Sequence, residues 1–453
     1  MHRRDLVKSG MAAVAAGALR IPPHRLRQAA IRPTTQQLAW QAAELGIFFH
    51  FGINTYTDRE WGLGNEDPPI FNPASLDARQ WVRAAQSAGA KYVVLTAKHH
   101  DGFCLWPSKT TAHSVASSPW KAGKGDVVRE VADAARAAGL GLGLYLSPWD
   151  RNAPSYGSGA GYMNFYIAQL TELLTNYGQV MEVWFDGANG EGPNGKKQTY
   201  DWPRIHSTVR RLQPNALMFS DSGPDIRWNG NERGRAGDPN WCTVDPSVVT
   251  HPGMDGPHII AALQNGNPPP QGTVWRPSEA DVSIRPGWFH HPAEDARVKT
   301  VEQLREIWFD SVGRNANLLL NVPPNRDGRI SDEDAGRLAL FGTRLRDYWA
   351  GAIDRTPAQL MAPLDGALHT VDFNGTTRVG GVELGEDLAQ GQMVSKFHVD
   401  VMVDGAWMTV ANGTTIGHKR VVRFTPVIAS QCRLLIEDAV AKPTIRTMRV
   451  ALA

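Results

Sequence analysis

Strand-like and helix-like blocks alternate along the chain from residue 45 to residue 220. The strand-like blocks are short apolar, β-branched and aromatic runs, and the helix-like blocks repeat apolar residues every three or four positions. Such alternation is typical of a parallel sheet covered by helices, because parallel neighbours need a crossover connection. Four repeats followed by a fifth strand favour a (β/α)8 TIM-like barrel. An open parallel sheet would give the same pattern.

The periodicity also predicts where the elements of this catalytic domain, residues 31–350, begin and end. Strands are predicted at residues 45–51, 92–96, 140–146, 180–185, 216–220 and 317–322. Helices are predicted at residues 76–88, 127–138, 162–177, 202–212, 300–312 and 331–349. Residues 222–300 have little periodicity and are rich in Gly, Pro, Asn and Trp, which indicates irregular strands and active-site loops.

From Thr356 the sequence changes to short alternating runs separated by turn residues, such as SKFHVDVMV and KRVVRFT. About seven short strands at this spacing predict a C-terminal antiparallel β-sandwich domain, residues 351–453. Such a module can bind carbohydrate or brace the barrel, and the sequence leaves both roles open.

The N-terminus has the composition of an export signal. It reads MHRRDLVKSGMAAVAAGAL, with paired Arg3 and Arg4 before a short run of small apolar residues. This resembles a bacterial twin-arginine signal over residues 1–30 and predicts a periplasmic or extracellular protein, with a short amphipathic helix as the alternative. No later run reaches the 18 or so apolar residues of a membrane span.

Charge and cysteine content exclude some classes of function. A net charge of +2 without a basic stretch gives no reason to expect nucleic acid as a partner. The cysteines, Cys104, Cys242 and Cys432, are too far apart in the sequence for a CxxC metal site. One disulfide between two of them is possible, but the sequence does not require it. The 15 tryptophans fit a carbohydrate cleft, since an indole stacks on the apolar face of a sugar, although large cores use Trp too.

Segment 179–190, QVMEVWFDGANG, ends a predicted strand at Asp186. Ligands bind at the carboxyl ends of strands in parallel α/β proteins, so Asp186 is predicted to face the substrate, with a turn cap as the alternative. Polar or aromatic residues also follow the three earlier strands: His50, His99, His100, Asp101, Tyr145, Trp149 and Asp150. A lone histidine is usually structural, but in a barrel all these strand ends would meet at one rim.

Two reactions fit such a rim. Metal-assisted hydrolysis would use His50, His99 and His100, but HxH or HExxH spacing is missing, and His99 and His100 in a strand would point opposite ways. Glycoside hydrolysis needs two carboxyl groups and no cofactor. Asp186 is a natural nucleophile, and the second carboxyl is sought among Asp221, Asp225, Glu232, Asp238 and Glu279. Glu232 lies in a Gly- and Asn-rich loop with Trp228 and Trp241 nearby; a surface glutamate without a role is the alternative.

Several long motifs together resemble the α-L-fucosidase family of retaining glycoside hydrolases. They run in order from about residue 37 to 345: GIFFHFGINTY, EWGLG, YVVLTAKHHDGFCLW, GLGLYLSPWD, VWFDGANG, GNERG, SIRPGWF and GRNANLLLNVPPNRDGRI. The resemblance implies that Asp186 is the nucleophile. The GNERG motif resembles a subfamily preferring α-1,3 and α-1,4 linkages and implies that Glu232 is the acid/base.

The resemblance further implies which residues contact fucose: polar side chains would bind the ring hydroxyls, and aromatic side chains the C6 methyl and the apolar ring face. These residues are His50, Glu60, Trp61, His99, His100, Tyr145, Trp184 and Trp288. The chain is therefore predicted to be an exported exo-α-L-fucosidase acting on fucosylated oligosaccharides or glycoconjugates. A metal-dependent barrel hydrolase and an inactive carbohydrate-binding protein are the alternatives.

Overall fold

A computed structural model describes residues 31–354 and 368–453. The predicted export signal at residues 1–30 lies outside these residues. The first ten strands are β1 (Leu45–Phe49), β2 (Tyr92–Lys98), β3 (Gly141–Leu146), β4 (Glu182–Trp184), β5 (Leu217–Ser220), β6 (Ile226–Trp228), β7 (Thr243–Val244), β8 (Val274–Trp275), β9 (Ser278–Ser283) and β10 (Ala316–Asn321).

Eight of these strands close into a parallel barrel in the order β1-β10-β9-β6-β5-β4-β3-β2, while β7 and β8 pair separately as a short antiparallel ribbon. The predicted barrel is thereby confirmed. Since neighbouring strands of the barrel are parallel, their carboxyl ends all open at one rim.

The helices are α1 (Thr35–Ala43), α2 (Asn54–Thr57), α3 (Ala78–Ala88), α4 (Val127–Ala137), α5 (Ala160–Asn176), α6 (Trp202–Leu212), α7 (Pro257–Asn265), α8 (Val301–Asp310) and α9 (Asp332–Tyr348). Local sequence explains several helix ends. The side chains of Asp77, Asp126 and Ser331 each accept a backbone N–H of the first turn of α3, α4 and α9. Gly89 ends α3 with φ of +93°, a left-handed conformation that favours glycine.

Two barrel strands, β6 and β9, lie in the region whose sequence has little periodicity. β9 reads SEADVS and is buried at every position, although four of its six side chains are polar. Glu279 in β9 accepts hydrogen bonds from Tyr92 and Trp184, and Asp281 accepts one from Trp228. A search for apolar strand patterns misses β9. Its carboxyl groups can be buried because tertiary partners inside the barrel satisfy their hydrogen bonds.

The C-terminal domain contains β11 (Ile353–Asp354), β12 (Leu368–Glu386), β13 (Val394–Val403), β14 (Ala406–Gly413), β15 (Arg420–Ala439) and β16 (Ile445–Leu452). These strands are antiparallel, in the order β11-β16-β12-β15-β13-β14. The antiparallel β-domain predicted after the barrel is thereby confirmed.

Fewer, longer strands build this domain than the sequence predicts. Runs HTVDF and TRVGGVEL are one strand, β12, interrupted by a register shift where Asn374 and Gly375 have positive φ. β16 pairs with the second half of β12, and β13 with the second half of β15. Both groups of paired strands contribute side chains to one hydrophobic core, for example Leu384 of β12 and Val399 of β13.

The cysteines Cys104, Cys242 and Cys432 are all buried and free. None of the helices in residues 31–354 and 368–453 combines the length and the apolar character of a membrane span.

Candidate active site

Asp186 lies two residues beyond the end of β4, with a side chain that is 25% exposed. The Tyr145 hydroxyl donates to Oδ2 at 2.9 Å, and the backbone N–H of Ala188 donates to Oδ1 at 2.7 Å. Each carboxylate oxygen is thus held by one donor. Gly187 is required beside it, because a Cβ there would lie 2.6 Å from Oδ2 of Asp221. The result is an oriented carboxylate at the barrel rim that remains open to a ligand.

The histidines of the predicted rim are buried next to Asp186. His50 and His99 have ring centroids 5.6 Å apart, and those of His99 and His100 are 4.0 Å apart. Nε2 of His100 is 3.8 Å from Oδ2 of Asp186. The prediction that His99 and His100 point opposite ways is wrong, because β2 ends at Lys98 and both follow it in a turn.

Burial keeps these imidazoles neutral. It lowers the pKa of His50 to about 3, with the His100 charge adding to the shift, and it lowers the pKa of His99 and His100. Nδ1 of His50 bonds to Oδ1 of Asn321 at 2.8 Å, and Nδ1 of His100 to Oγ of Ser147 at 2.7 Å. Oδ1 of Asn321 can only accept, so Nδ1 of His50 carries the hydrogen and Nε2 is an acceptor.

Aromatic rings line part of the site. Tyr145 lies 5.4 Å from Trp184, which stacks on Phe219 at 4.2 Å. Trp149 lies 4.7 Å from His100, and the 55% exposed Trp61 meets it edge-on at 5.8 Å. A partly apolar, partly polar lining of this kind suits a sugar ring.

Loops bring Glu60 and Trp288 to the same rim. Glu60 accepts hydrogen bonds from the backbone N–H groups of Trp288 and Phe289 and lies 3.0 Å from Nε2 of His291. The Trp288 ring is 5.1 Å from that of His50. Strand-end reasoning alone does not find Glu60, Trp61 or Trp288, because they follow no predicted strand; the family resemblance names all three.

Glu232 lies in the loop after β6 and is exposed. Desolvation by the surrounding protein raises its pKa above the usual range, and the charges of Asp186 and Glu60 raise it further. A hydrogen bond with the side chain of Trp288 acts in the opposite direction. Glu232 therefore experiences the negative charge of Asp186 and is biased toward its protonated form.

The other candidates for the second carboxyl differ in their surroundings. Asp225 pairs with Arg210, and Asp238 pairs with Arg420 at 2.7 Å. Glu279 is fully buried inside the barrel, where Tyr92 and Trp184 donate to its two oxygens. Asp221 does lie near Asp186; burial and that like charge raise its pKa to about 6, while Oδ2 accepts the N–H of Gly253 at 2.7 Å.

Two other strand-end carboxylates, Asp150 and Asp101, have structural partners. Asp150 pairs with Lys98 at 2.8 Å, both fully buried, and Asp101 accepts the backbone N–H of Phe103. Sequence reasoning overlooked Asn321 and Ser147, which orient His50 and His100, although Asn321 lies near the end of a predicted strand. No group of three or more His, Cys, Asp or Glu side chains in the described parts of the chain is arranged to hold a metal ion.

Comparison with known proteins agrees with this geometry. A family model described as alpha-L-fucosidase matches residues 65–349. Alpha-L-fucosidase 1 of Arabidopsis thaliana is 42% identical over 436 residues, covering 90% of this chain and 84% of that protein. Among solved structures, a glycoside hydrolase 29 family member from an unknown rumen bacterium is 41% identical with a TM-score of 0.85, covering 94% of this chain and 78% of that one. A GH29 fucosidase of Ruminococcus gnavus in complex with fucose is 30% identical with a TM-score of 0.80, covering 93% and 95%.

Proposed function

Because the chain belongs to the α-L-fucosidase family, we propose that it removes terminal α-1,3- or α-1,4-linked L-fucose from oligosaccharides or glycoconjugates with retention of configuration. The observation that supports this most is the pair Asp186 and Glu232. One is an oriented, partly open carboxylate, and the other is a loop carboxyl whose pKa is raised in its presence. A retaining glycosidase needs an ionised carboxylate and a protonated carboxyl group on either side of the bond that it cleaves.

The proposed reaction has two displacements. Asp186 attacks the anomeric carbon, the glycosidic C–O bond breaks, and the proton of Glu232 goes to the departing oxygen. A water then attacks the anomeric carbon of the fucosyl–Asp186 ester. Glu232 takes the proton of that water, and Asp186 leaves as a carboxylate.

Fucose recognition is proposed to rest on His50, Glu60, Trp61, His99, His100, Tyr145, Trp184 and Trp288. Neutral imidazoles both donate and accept, which suits hydroxyl groups. Nδ1 of His99 is buried without a hydrogen-bond partner within the described residues, so a substrate hydroxyl would satisfy it. Trp61 and Trp184 would contact the apolar face and the methyl group of the sugar.

The linkage preference and the location of the enzyme rest on the sequence. The GNERG motif at residues 230–234 supports branched α-1,3 and α-1,4 fucosyl substrates. The twin-arginine-like segment supports export. Incubation with linear α-1,2 and branched α-1,3 and α-1,4 fucosyl oligosaccharides, scoring free fucose, tests the preference. Release from the α-1,2 substrate alone would overturn it.

Azide trapping assigns the two carboxyl groups. In Asp186→Gly, we expect turnover to fall by about three orders of magnitude or more, and azide to yield the β-fucosyl azide, since it replaces the nucleophile. In Glu232→Ala with an aryl fucoside, azide should accelerate turnover and yield the α-fucosyl azide. Asp221→Asn and Glu279→Ala are the controls, and rescue of either in place of Glu232→Ala would move the acid/base to that residue.

A further inference from the structure

The loop that carries Glu232 comprises residues 229–241. Hydrogen bonds between its first residues fold them into a turn. The backbone N–H of Asn229 donates to the carbonyl of Glu279 in β9 at 3.0 Å. The side-chain amides of Asn229 and Asn231 both donate to the carbonyl of Arg235, at 3.0 and 2.8 Å. Residues 229–235 thus form a compact turn. The barrel domain holds the end of this turn, because the backbone N–H groups of Gly234 and Ala236 donate to the carbonyls of Asp281 and Asp310 at 3.1 and 2.9 Å.

The end of the same loop is held by the C-terminal domain. Arg420 of β15 pairs with Oδ2 of Asp238 at 2.7 Å, and the Thr414 hydroxyl donates to Oδ1. The backbone N–H of Asn240 donates to Oγ1 of Thr415 at 2.9 Å, and its carbonyl accepts from the side chain of Gln392 at 3.0 Å. Both backbone hydrogen-bonding groups of Asn240 therefore bond to the second domain, and the carbonyl also accepts from the side-chain amide of Asn315 in the barrel domain at 3.0 Å.

These contacts are of the kind that fix a backbone firmly. Asn240, Gln392 and Thr415 are buried, and so is Arg420. Breaking a buried hydrogen bond leaves a desolvated polar group behind, and a charge-assisted bond is stronger than a neutral one. The Asn240 side chain continues the connection into the barrel, because Arg227 donates to its Oδ1 at 2.8 Å.

We propose that the C-terminal β-domain positions Glu232 by clamping the stem of its loop at Asp238 and Asn240. The inference rests on the proposed role of Glu232 as acid/base. A general acid on a loop is effective only if the loop places it within a fraction of an ångström of the departing oxygen. Here the barrel domain holds the turn and the second domain holds the end of the loop, so the four contacts from the second domain act on catalysis without touching the substrate.

The test compares two substrates that differ in their need for a general acid. A fucosyl oligosaccharide leaves as a sugar alkoxide that must be protonated, whereas 2-chloro-4-nitrophenyl α-L-fucoside leaves as a stable phenolate that needs little help. The variants are Asp238→Ala, which removes the partner of Arg420, and Thr415→Val, which removes the acceptor of Asn240 at nearly constant volume. Glu306→Gln is the matched control, because it removes the charge of another interdomain ion pair, in which Glu306 bonds to Arg423 at 2.6 Å rather than to the loop.

For Asp238→Ala and Thr415→Val, we expect kcat/KM on the oligosaccharide to fall by about tenfold, in line with a displaced catalytic group, and kcat/KM on the aryl fucoside to stay within about twofold. The comparison uses kcat/KM because this ratio reports the first displacement, in which Glu232 acts as the acid, whereas kcat also depends on the second displacement, in which Glu232 acts as the base for both substrates. Glu306→Gln should change neither. Equal losses on both substrates, no loss on either, or the selective loss in Glu306→Gln would each overturn the clamp. Since Thr415→Val is nearly isosteric, it decides the question if Asp238→Ala does not fold.

The same comparison separates this inference from the proposed function. If Glu232→Ala selectively loses kcat/KM on the oligosaccharide and the two clamp variants do not, Glu232 is the acid and the clamp is wrong. If Glu232→Ala shows no selective loss, the acid/base assignment itself fails, and the clamp fails with it.

Discussion

The Tyr145 hydroxyl donates a 2.9 Å hydrogen bond to Oδ2 of Asp186, from a ring that packs between His99 and Trp184. The phenol is buried, and burial beside the Asp186 charge raises its pKa, so it remains a donor across the working pH range of a glycosidase. Tyr145 and the N–H of Ala188 together set the direction from which Asp186 can attack.

Removing that donor should slow the first displacement. For Tyr145→Phe we expect kcat/KM to fall by about 10- to 100-fold, because a hydrogen bond to a charged group contributes roughly 1.5–3 kcal/mol. Tyr166→Phe is the matched control: its hydroxyl is also buried and donates to the carbonyl of Leu146 at 2.8 Å, away from Asp186. Steady-state kinetics with an aryl fucoside provide the measurement, and comparable losses in the two variants would contradict a specific role for Tyr145.

The alkaline limb of the pH–rate profile should report the pKa of Glu232, since the acid must be protonated for the first step. Glu60→Gln removes a negative charge that raises this pKa, so the limb should move to lower pH. Trp288→Phe removes a hydrogen bond that lowers it, so the limb should move to higher pH. The measurement is kcat/KM against pH for both variants, and shifts in the same direction would argue against Glu232 as the acid.

Glu279 should behave as part of the barrel interior. Glu279→Gln leaves only one oxygen for the two donors Tyr92 and Trp184, so we expect the free energy of unfolding to fall by about 1–3 kcal/mol. Glu232→Gln, in an exposed loop, should lose activity with an unfolding free energy close to that of the wild type. Chemical denaturation of both variants provides the comparison. A Glu279→Gln protein of wild-type stability would show that this network is not formed.

The C-terminal domain should make stability depend on pH through Glu386. Burial raises the pKa of this carboxyl to about 7, although the backbone N–H groups of Gly417, Met393 and Val394 oppose the shift. A folded-state pKa above the unfolded value means that stability is fully present below about pH 4.5 and is lost as pH rises through 7. The loss amounts to at most about 3 kcal/mol, at roughly 1.4 kcal/mol per pKa unit.

Glu386→Gln does not ionise, so its free energy of unfolding should change less between pH 5 and pH 8 than that of the wild type. Urea denaturation at the two pH values measures the difference. An unchanged pH dependence would show that Glu386 does not titrate in this range.

Much of the barrel could be predicted because six of its helices and six of its strands have local signals. Asp77 and Gly89 delimit α3, and runs such as YVVLT identify β2 before any tertiary contact is known. β6 and β9 could not be predicted in this way. The buried carboxyl groups of Glu279 and Asp281 look like surface residues in the sequence, and only their partners across the barrel explain them.

The rim residues likewise divide into those whose position the sequence predicts and those whose position depends on tertiary contacts. Asp186, His50 and Tyr145 follow directly from strand ends, because parallel strands bring these ends to one side of the barrel. Asp150 has the same sequence context, yet it lies beneath the site paired with Lys98. Side chains that follow one strand can turn in either direction, and the available partners decide which direction each one takes.

The sequence by itself determined the alternation of parallel strands and helices, the β-domain that follows, the strand-end position of Asp186 and, through its motifs, the family. The tertiary structure alone decided that the parallel sheet closes into a barrel, that Trp288 and Glu60 meet His50, that the charge of Asp186 acts on Glu232, and that Asp238 and Asn240 are held by another domain. Local sequence encodes helix caps, turns and strand periodicity within a few residues. Contacts between residues hundreds of positions apart depend on how the whole chain packs.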